Sequence, residues 1–200
     1  MEIWYSNIAK NSNNISLGEI MVNFPQIERD RISRLRNYSD QLLSAVGIKM
    51  VLDKLGSLDG WERGENNKPS TSHELKFNIS HSGNFVVVGF SKFNLGIDIE
   101  KVQKIDISDF HLVMSEIEKK EIINQEVFFE FWVKKEAILK ADGAGFIKDP
   151  NMITLNGAKA VLCGQRWYLS EVNISNQYKC FVASTKALLC IDEIVEYKME

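Results

Sequence analysis

The segment Leu95-Gly96-Ile97-Asp98-Ile99-Glu100 alternates apolar residues with glycine or acids, the period of a β-strand with one buried face. Side chains two apart on a strand share a face, so Asp98 and Glu100 point the same way. Two carboxylates held that close raise each other's pKa unless a cation sits between them. A hard divalent cation such as Mg²⁺ supplies that charge and takes oxygen ligands. About thirty residues on, Trp132-Val133-Lys134-Lys135-Glu136-Ala137-Ile138-Leu139-Lys140 reads as a helix. Glu136 and Lys140, at i,i+4, lie on one face of it. Taken singly, the helix pair is a solvated salt bridge and the acidic strand a solvent-facing edge. Taken together, three carboxylates and a lysine are apparatus for gripping a metal-bound phosphate.

The rest of the chain sets bounds on that reading. Two hundred residues suffice for one large domain or two small ones with a sizeable core. With 44% hydrophobic and 26% charged residues the composition is that of a folded globular protein. A net charge of −3, with no basic stripe of interleaved aromatics, argues against nucleic acid as a partner. No apolar run is long enough to span a bilayer, and residues 1–5 lack the pattern of a signal peptide. Cys163, Cys180 and Cys190 are odd in number and lack metal-ligand spacing, which suits a reducing cytoplasm.

Periodicity and punctuation predict a strand over 1–9 and a helix from Pro25 carrying Arg29, Arg31, Arg34 and Arg36. A second helix is expected over 40–55, capped by Ser39 and stopped by Gly56. A hairpin follows, 75–80 and 85–93 around Ser82-Gly83-Asn84, with Ser80-His81-Ser82 placed as exposed turn residues. Beyond the acidic strand come a short helix from Ser115 to Ile123, with Glu118 closing a capping box, and a longer one over 126–141. The turn Asp142-Gly143-Ala144-Gly145 ends it. Strands are then expected over 152–155, 160–163, 166–174, 179–185 and 190–197. Asn78-Ile79-Ser80 is echoed by Asn173-Ile174-Ser175, each ahead of an apolar strand.

Gly-Ile-Asp-Ile-Glu followed by Trp-x-x-Lys-Glu-Ala-x-x-Lys resembles the paired signature of the 4′-phosphopantetheinyl transferases, of the larger surfactin-synthetase-activating type. The resemblance implies an α+β fold of two similar subdomains related by a pseudo-twofold axis, here 1–103 and 104–200, with the site in the cleft between them. It implies Mg²⁺-dependent transfer (Mn²⁺ could substitute) of the 4′-phosphopantetheine arm from coenzyme A to a serine of an acyl, peptidyl or aryl carrier protein. The product would be 3′,5′-ADP, and the enzyme a cytoplasmic monomer. Asp98, Glu100 and Glu136 match the metal-binding acids, and Glu136 also the general base. Lys140 matches the lysine that contacts the phosphates and serves the leaving group, and Lys135 beside it could reach a phosphate. Ser80 and His81 match a segment that contacts coenzyme A phosphates, with His81 as a donor. Lys68-Pro69 matches a Lys-Pro segment near the nucleotide, Arg31 a basic residue for the 3′-phosphate, and Ser44 a small hydroxyl residue on the second helix. That residue commonly follows an arginine holding the 3′-phosphate; here Leu43 stands in its place, which leaves the nucleotide grip to Arg31, Arg34 or Arg36. Lys119-Lys120 and Lys134-Lys135 are candidates to meet an acidic carrier. The alternatives are a non-catalytic coenzyme A- or carrier-binding protein of this fold and an unrelated Mg²⁺-dependent phosphate enzyme.

Overall fold

The computed structural model describes residues 1–11, 16–64, 66–110, 112–143, 148–187 and 191–199. Strand β1 (Glu2–Asn7) leads into three short helices, α1 (Ile8–Asn11), α2 (Leu17–Ile20) and α3 (Gln26–Ser33), and then the long α4 (Tyr38–Leu55). The chain continues through a small hairpin, β2 (Glu62–Arg63) and β3 (Pro69–Ser70), to β4 (Lys76–Ser82), β5 (Phe85–Ser91) and β6 (Leu95–Lys101). Helices α5 (Glu116–Glu121) and α6 (Gln125–Asp142) precede β7 (Ile153–Asn156), β8 (Lys159–Leu162), β9 (Gln165–Glu171), β10 (Tyr178–Ser184) and β11 (Glu193–Glu196). The chain is α+β, as expected. Helix α4 starts earlier than the sequence suggested. Its N-cap is Asn37, in an extended conformation, so Ser39 falls inside the first turn. Gly56 ends it at φ +80°, a left-handed stop that glycine takes at no steric cost. Likewise β1 stops at Asn7, and Ser80 to Ser82 belong to strand β4 rather than to its turn. Ala144 and Gly145, expected to end α6, lie outside the described residues, as do His111 and Cys190.

Two sheets stack between two helices. One has the order β11-β1-β5-β4, the other β6-β10-β9-β8-β7. Strand β11 joins β1 in parallel, and β6 pairs antiparallel with β10, so a division at residue 103 is not a division between sheets. The central strands bury both faces. Val86, Val88 and Phe90 of β5 pack with Leu42, Val46 and Met50 of α4, while Phe85 and Val87 pack with Ile97, Ile99 and Val182 across the sandwich. On β10, Cys180 and Val182 face that same intersheet core, and Phe181 and Ala183 pack against α6. Period-two alternation thus builds four layers, helix, sheet, sheet, helix.

The acidic strand β6 sits where these layers meet. Leu95, Ile97 and Ile99 point into the intersheet core, which turns Gly96, Asp98 and Glu100 toward α6. A β-carbon on Gly96 would lie 2.1 Å from the Ala137 carbonyl oxygen and 2.3 Å from the Ala141 nitrogen. Only glycine lets α6 approach this closely. The outer edge of β6 abuts the edge of β4 without a backbone ladder. Instead Asn78 Oδ1 accepts the Ile97 N–H at 2.8 Å, Ser80 Oγ the Ile99 N–H at 3.3 Å, and Ser82 Oγ the Lys101 N–H at 3.1 Å. Alternate side chains of one edge satisfy alternate N–H groups of the other, so two otherwise open edges close on each other.

Candidate active site

The seam does more than close edges. Ser80 Oγ also donates to Asp98 Oδ1 at 2.9 Å, and Ser82 Oγ to Glu100 Oε2 at 2.7 Å. Each acid of the strand is thereby oriented by a hydroxyl from β4. On α6, Lys140 reaches back to this point, its Nζ donating to Asp98 Oδ1 at 2.6 Å and to Ser80 Oγ at 2.8 Å. Glu136 lies one turn earlier on the same helix face and is 8% exposed. Burial, and then the charge of Asp98, push its carboxyl up to about 7, against the attraction of Lys140. Burial likewise raises Glu100, with Asp98 adding to the effect. The three carboxylates therefore lie within electrostatic reach of one another.

Two oxygens in this group, Asp98 Oδ2 and Glu136 Oε1, are buried and accept no hydrogen bond from the described residues. An unpartnered buried carboxylate oxygen is costly, and a hard cation is a chemically matched partner for two of them. Among the described residues no three His, Cys, Asp or Glu side chains are gathered closely enough to hold an ion as they stand. Lys140 already provides positive charge at Asp98. The donor set fits Mg²⁺ in kind: oxygen-only, anionic, with lone pairs to spare.

Beside the acids opens a cleft of about 230 Å³. Its walls come from α3 and α4 (Arg31, Ser44, Ile48), the β2–β3 hairpin (Arg63, Asn66, Asn67, Lys68, Pro69), β4 (Asn78, Ile79, His81) and the end of α6 (Leu139, Lys140, Gly143). Of the residues singled out from sequence, Arg31, Ser44, Lys68, Pro69, His81 and Lys140 all line it. Lys68 is tied across it, its Nζ donating to the Lys140 carbonyl at 2.6 Å and the Leu95 carbonyl at 3.3 Å. Burial pushes its ammonium down to about 8. His81 is exposed at the cleft rim, and partial desolvation, then the Lys140 charge, lower its ring below the ordinary histidine range.

Three sequence expectations meet a different placement. Ser80 is 4% exposed and stands behind the cleft, holding Asp98 and Lys140, rather than exposed in a turn. Lys135 is fully buried, its Nζ donating to Glu118 Oε2 at 2.6 Å and to the Val113 carbonyl at 2.9 Å. Neighbours in a helix diverge, so with Glu136 turned toward Asp98 and Glu100 Lys135 faces away from them. Its partner Glu118 also closes the capping box with Ser115, so this pair locks α6 to the start of α5. Leu43 is 2% exposed and packs in the α4 core, whereas Ser44 beside it reaches the cleft. Arg34 and Arg36 are exposed and do not line the cleft, while Arg63, Asn66 and Asn67 do. Arg63 carries no sequence signal beyond its place shortly before Lys68-Pro69.

Comparison with known proteins identifies relatives of the chain. Residues 94–183 match the sequence model of the 4′-phosphopantetheinyl transferase superfamily. The chain is 37% identical over 136 residues to the 4′-phosphopantetheinyl transferase gsp of Aneurinibacillus migulanus, covering 62% of this chain and 57% of that protein. It is 28% identical over 133 residues to the 4′-phosphopantetheinyl transferase Sfp of Bacillus subtilis, covering 59% of each. A putative 4′-phosphopantetheinyl transferase of Haemophilus influenzae is 28% identical over 197 residues, 86% of this chain and 83% of that one. The chain thus spans a little over half the length of gsp and of Sfp. Asp98, Glu100, Glu136 and Lys140 all fall inside the stretch that matches the model of that superfamily.

Proposed function

We propose that this chain transfers the 4′-phosphopantetheine arm of coenzyme A to a serine hydroxyl of an apo carrier protein, with Mg²⁺ or Mn²⁺, releasing 3′,5′-ADP. One observation carries the reading. A cleft lined by Arg31, Lys68, His81 and Lys140 runs, through the Lys140–Asp98 bond, into buried carboxylates with two unpartnered oxygens. The basic walls suit an anionic nucleotide, and the acids suit a metal and a proton. That the relatives gsp and Sfp are named as 4′-phosphopantetheinyl transferases supports it.

In this reaction the serine oxygen forms a bond to the phosphorus that carries pantetheine. The bond from that phosphorus to the bridging pyrophosphate oxygen breaks, and 3′,5′-ADP departs with the electron pair. Glu136, poised at about 7, would take the serine proton near neutral pH. Lys140, with its ammonium at the edge of the cleft, would neutralise the leaving oxygen. Ser80 and Ser82 keep Asp98 and Glu100 in fixed orientation, so little reorganisation is left for the reacting complex. His81, at the cleft rim, would offer a phosphate a hydrogen bond. Mg²⁺ held by Asp98, Glu100 and Glu136 would polarise the phosphoryl group and spread the developing charge.

The carrier would meet the face around α5. There Ile117 and Ile123 are 72% and 81% exposed beside the exposed Lys120. Lys119 and Lys134 are engaged with Glu116 and Glu130, and Lys135 is buried, so Lys120 remains the available cation of the two expected pairs. One chain supplies every wall of the cleft, which suits a monomer, and coenzyme A chemistry with three scattered cysteines suits the cytoplasm. The test is to incubate the purified chain with coenzyme A, Mg²⁺ and a panel of apo acyl and peptidyl carriers. A carrier should gain the mass of the phosphopantetheine arm. Coenzyme A binding by calorimetry with no mass gain on any carrier would leave only the binding-protein alternative.

A further inference from the structure

Lys68 stands on the hairpin just ahead of β3, yet its ammonium is spent on the backbone of two other elements. Nζ donates to the Lys140 carbonyl at 2.6 Å and to the Leu95 carbonyl at 3.3 Å. Leu95 opens β6, and Lys140 lies in the last turn of α6, where a helix runs out of its own N–H donors. One side chain from the hairpin thus bonds both of the elements that carry the acids.

The place of these carbonyls gives the bond its meaning. Residues two apart on a strand present their N–H and C=O to the same edge. Leu95 therefore opens to the side on which Asn78, Ser80 and Ser82 take the N–H groups of Ile97, Ile99 and Lys101. Lys68 continues that seam to its end, supplying a donor where the edge offers an acceptor. The Leu95 carbonyl is joined to Gly96, the residue at which β6 touches Ala137 and Ala141 of α6. Asn66 adds a second tie from the hairpin, its Nδ2 donating to the Gly143 carbonyl at 2.7 Å. Neither acceptor of Lys68 calls for a charge. Both are neutral, and burial lowers the ammonium to about 8 against the pull of Asp142. Of the three N–H donors of an ammonium, two are committed here.

Resting on the transfer reading above, we propose that Lys68 is a positioning residue, a clamp that fixes the end of α6 on the start of β6. It thereby holds Glu136 and Lys140 in register with Asp98 and Glu100. Lys68→Met removes the donors while keeping most of the side chain's bulk. Lys68→Gln keeps an amide donor without the charge, but is too short to span both carbonyls. Three quantities are measured on the whole chain: coenzyme A affinity by calorimetry, carrier loading at saturating coenzyme A, and hydrogen exchange of the amides of residues 95–98 and 139–143 without ligand. In Lys68→Met coenzyme A should bind within about threefold of the wild type, while loading slows about tenfold or more, the worth of one hydrogen bond from a charged group. Exchange at the end of α6 should quicken by a similar factor. Lys68→Gln should lose less on each count, and it decides the matter by the same readings should Lys68→Met fail to fold. A variant whose coenzyme A affinity falls further than its loading rate overturns the proposal, because Lys68 would then be a nucleotide contact. Unchanged loading or unchanged exchange in either folded variant overturns it too. If the wild type neither binds coenzyme A nor loads any carrier, the transfer reading itself fails, and exchange alone then decides whether Lys68 is the clamp.

Discussion

At the scale of single residues, the site is a place where the fold tolerates unfavourable electrostatics. Glu136 is the clearest case. An ordinary glutamate titrates near 4.5 and this one at about 7, so folding favours its protonated form. Below pH 4.5 the carboxyl is neutral in both folded and unfolded chains and costs nothing. As the pH rises toward 7 the unfolded chain ionises first, and stability falls. Above 7 the full cost is present, on the order of 3 kcal/mol for a shift of that size. Glu136→Gln should therefore melt higher than the wild type at pH 8 in the presence of a chelator, with the difference vanishing at pH 4.5. A difference independent of pH would contradict the assignment. Glu136 and Lys140 were readable from the sequence because i,i+4 spacing fixes a shared face. The bonds of Lys68 were not. Its acceptors are backbone carbonyls 27 and 72 residues further along the chain.

At the scale of elements, strand β6 and helix α6 form one unit, and Gly96 is the point where they touch. Gly96→Ala would drive a β-carbon into backbone atoms of Ala137 and Ala141, neither of which can rotate aside. Helix α6 would have to lift, taking Glu136 and Lys140 off Asp98. Such overpacking costs about 1–3 kcal/mol, and more where only backbone can yield. The urea midpoint should drop accordingly, and transfer should fall further than the lost stability alone explains. An unchanged midpoint would mean that the two backbones are not so close. The alternation in β6 and the face of α6 were legible because each is a local period. The seam between β4 and β6 was hidden, since Asn78, Ser80 and Ser82 read locally as polar residues entering a turn. Their partner N–H groups lie 19 residues further on. The side chains that close this seam are also the ones that orient the acids, so edge protection and site geometry depend on the same hydroxyls.

At the scale of the whole molecule, strands swap across the middle of the chain. Strand β6 belongs to the sheet of the later strands, and β11 returns to β1. No local pattern announces either pairing, because a strand's period fixes its faces and not its neighbour. The exchange brings Arg31, Lys68 and His81 from early elements against Lys140 from a late one, and gives the cleft its two sources of charge. It also makes the proposed function a joint one, in which the acids of β6 and Glu136 of α6 would act as a single phosphoryl-transfer centre. The most direct test is the intact mass of an apo carrier after incubation with coenzyme A and Mg²⁺, wild type beside Glu136→Gln, with coenzyme A binding measured on both. The account predicts that the wild type loads the carrier, and that Glu136→Gln still binds coenzyme A but slows loading by at least about a hundredfold, as loss of a general base does. Loading by Glu136→Gln at the wild-type rate would contradict it.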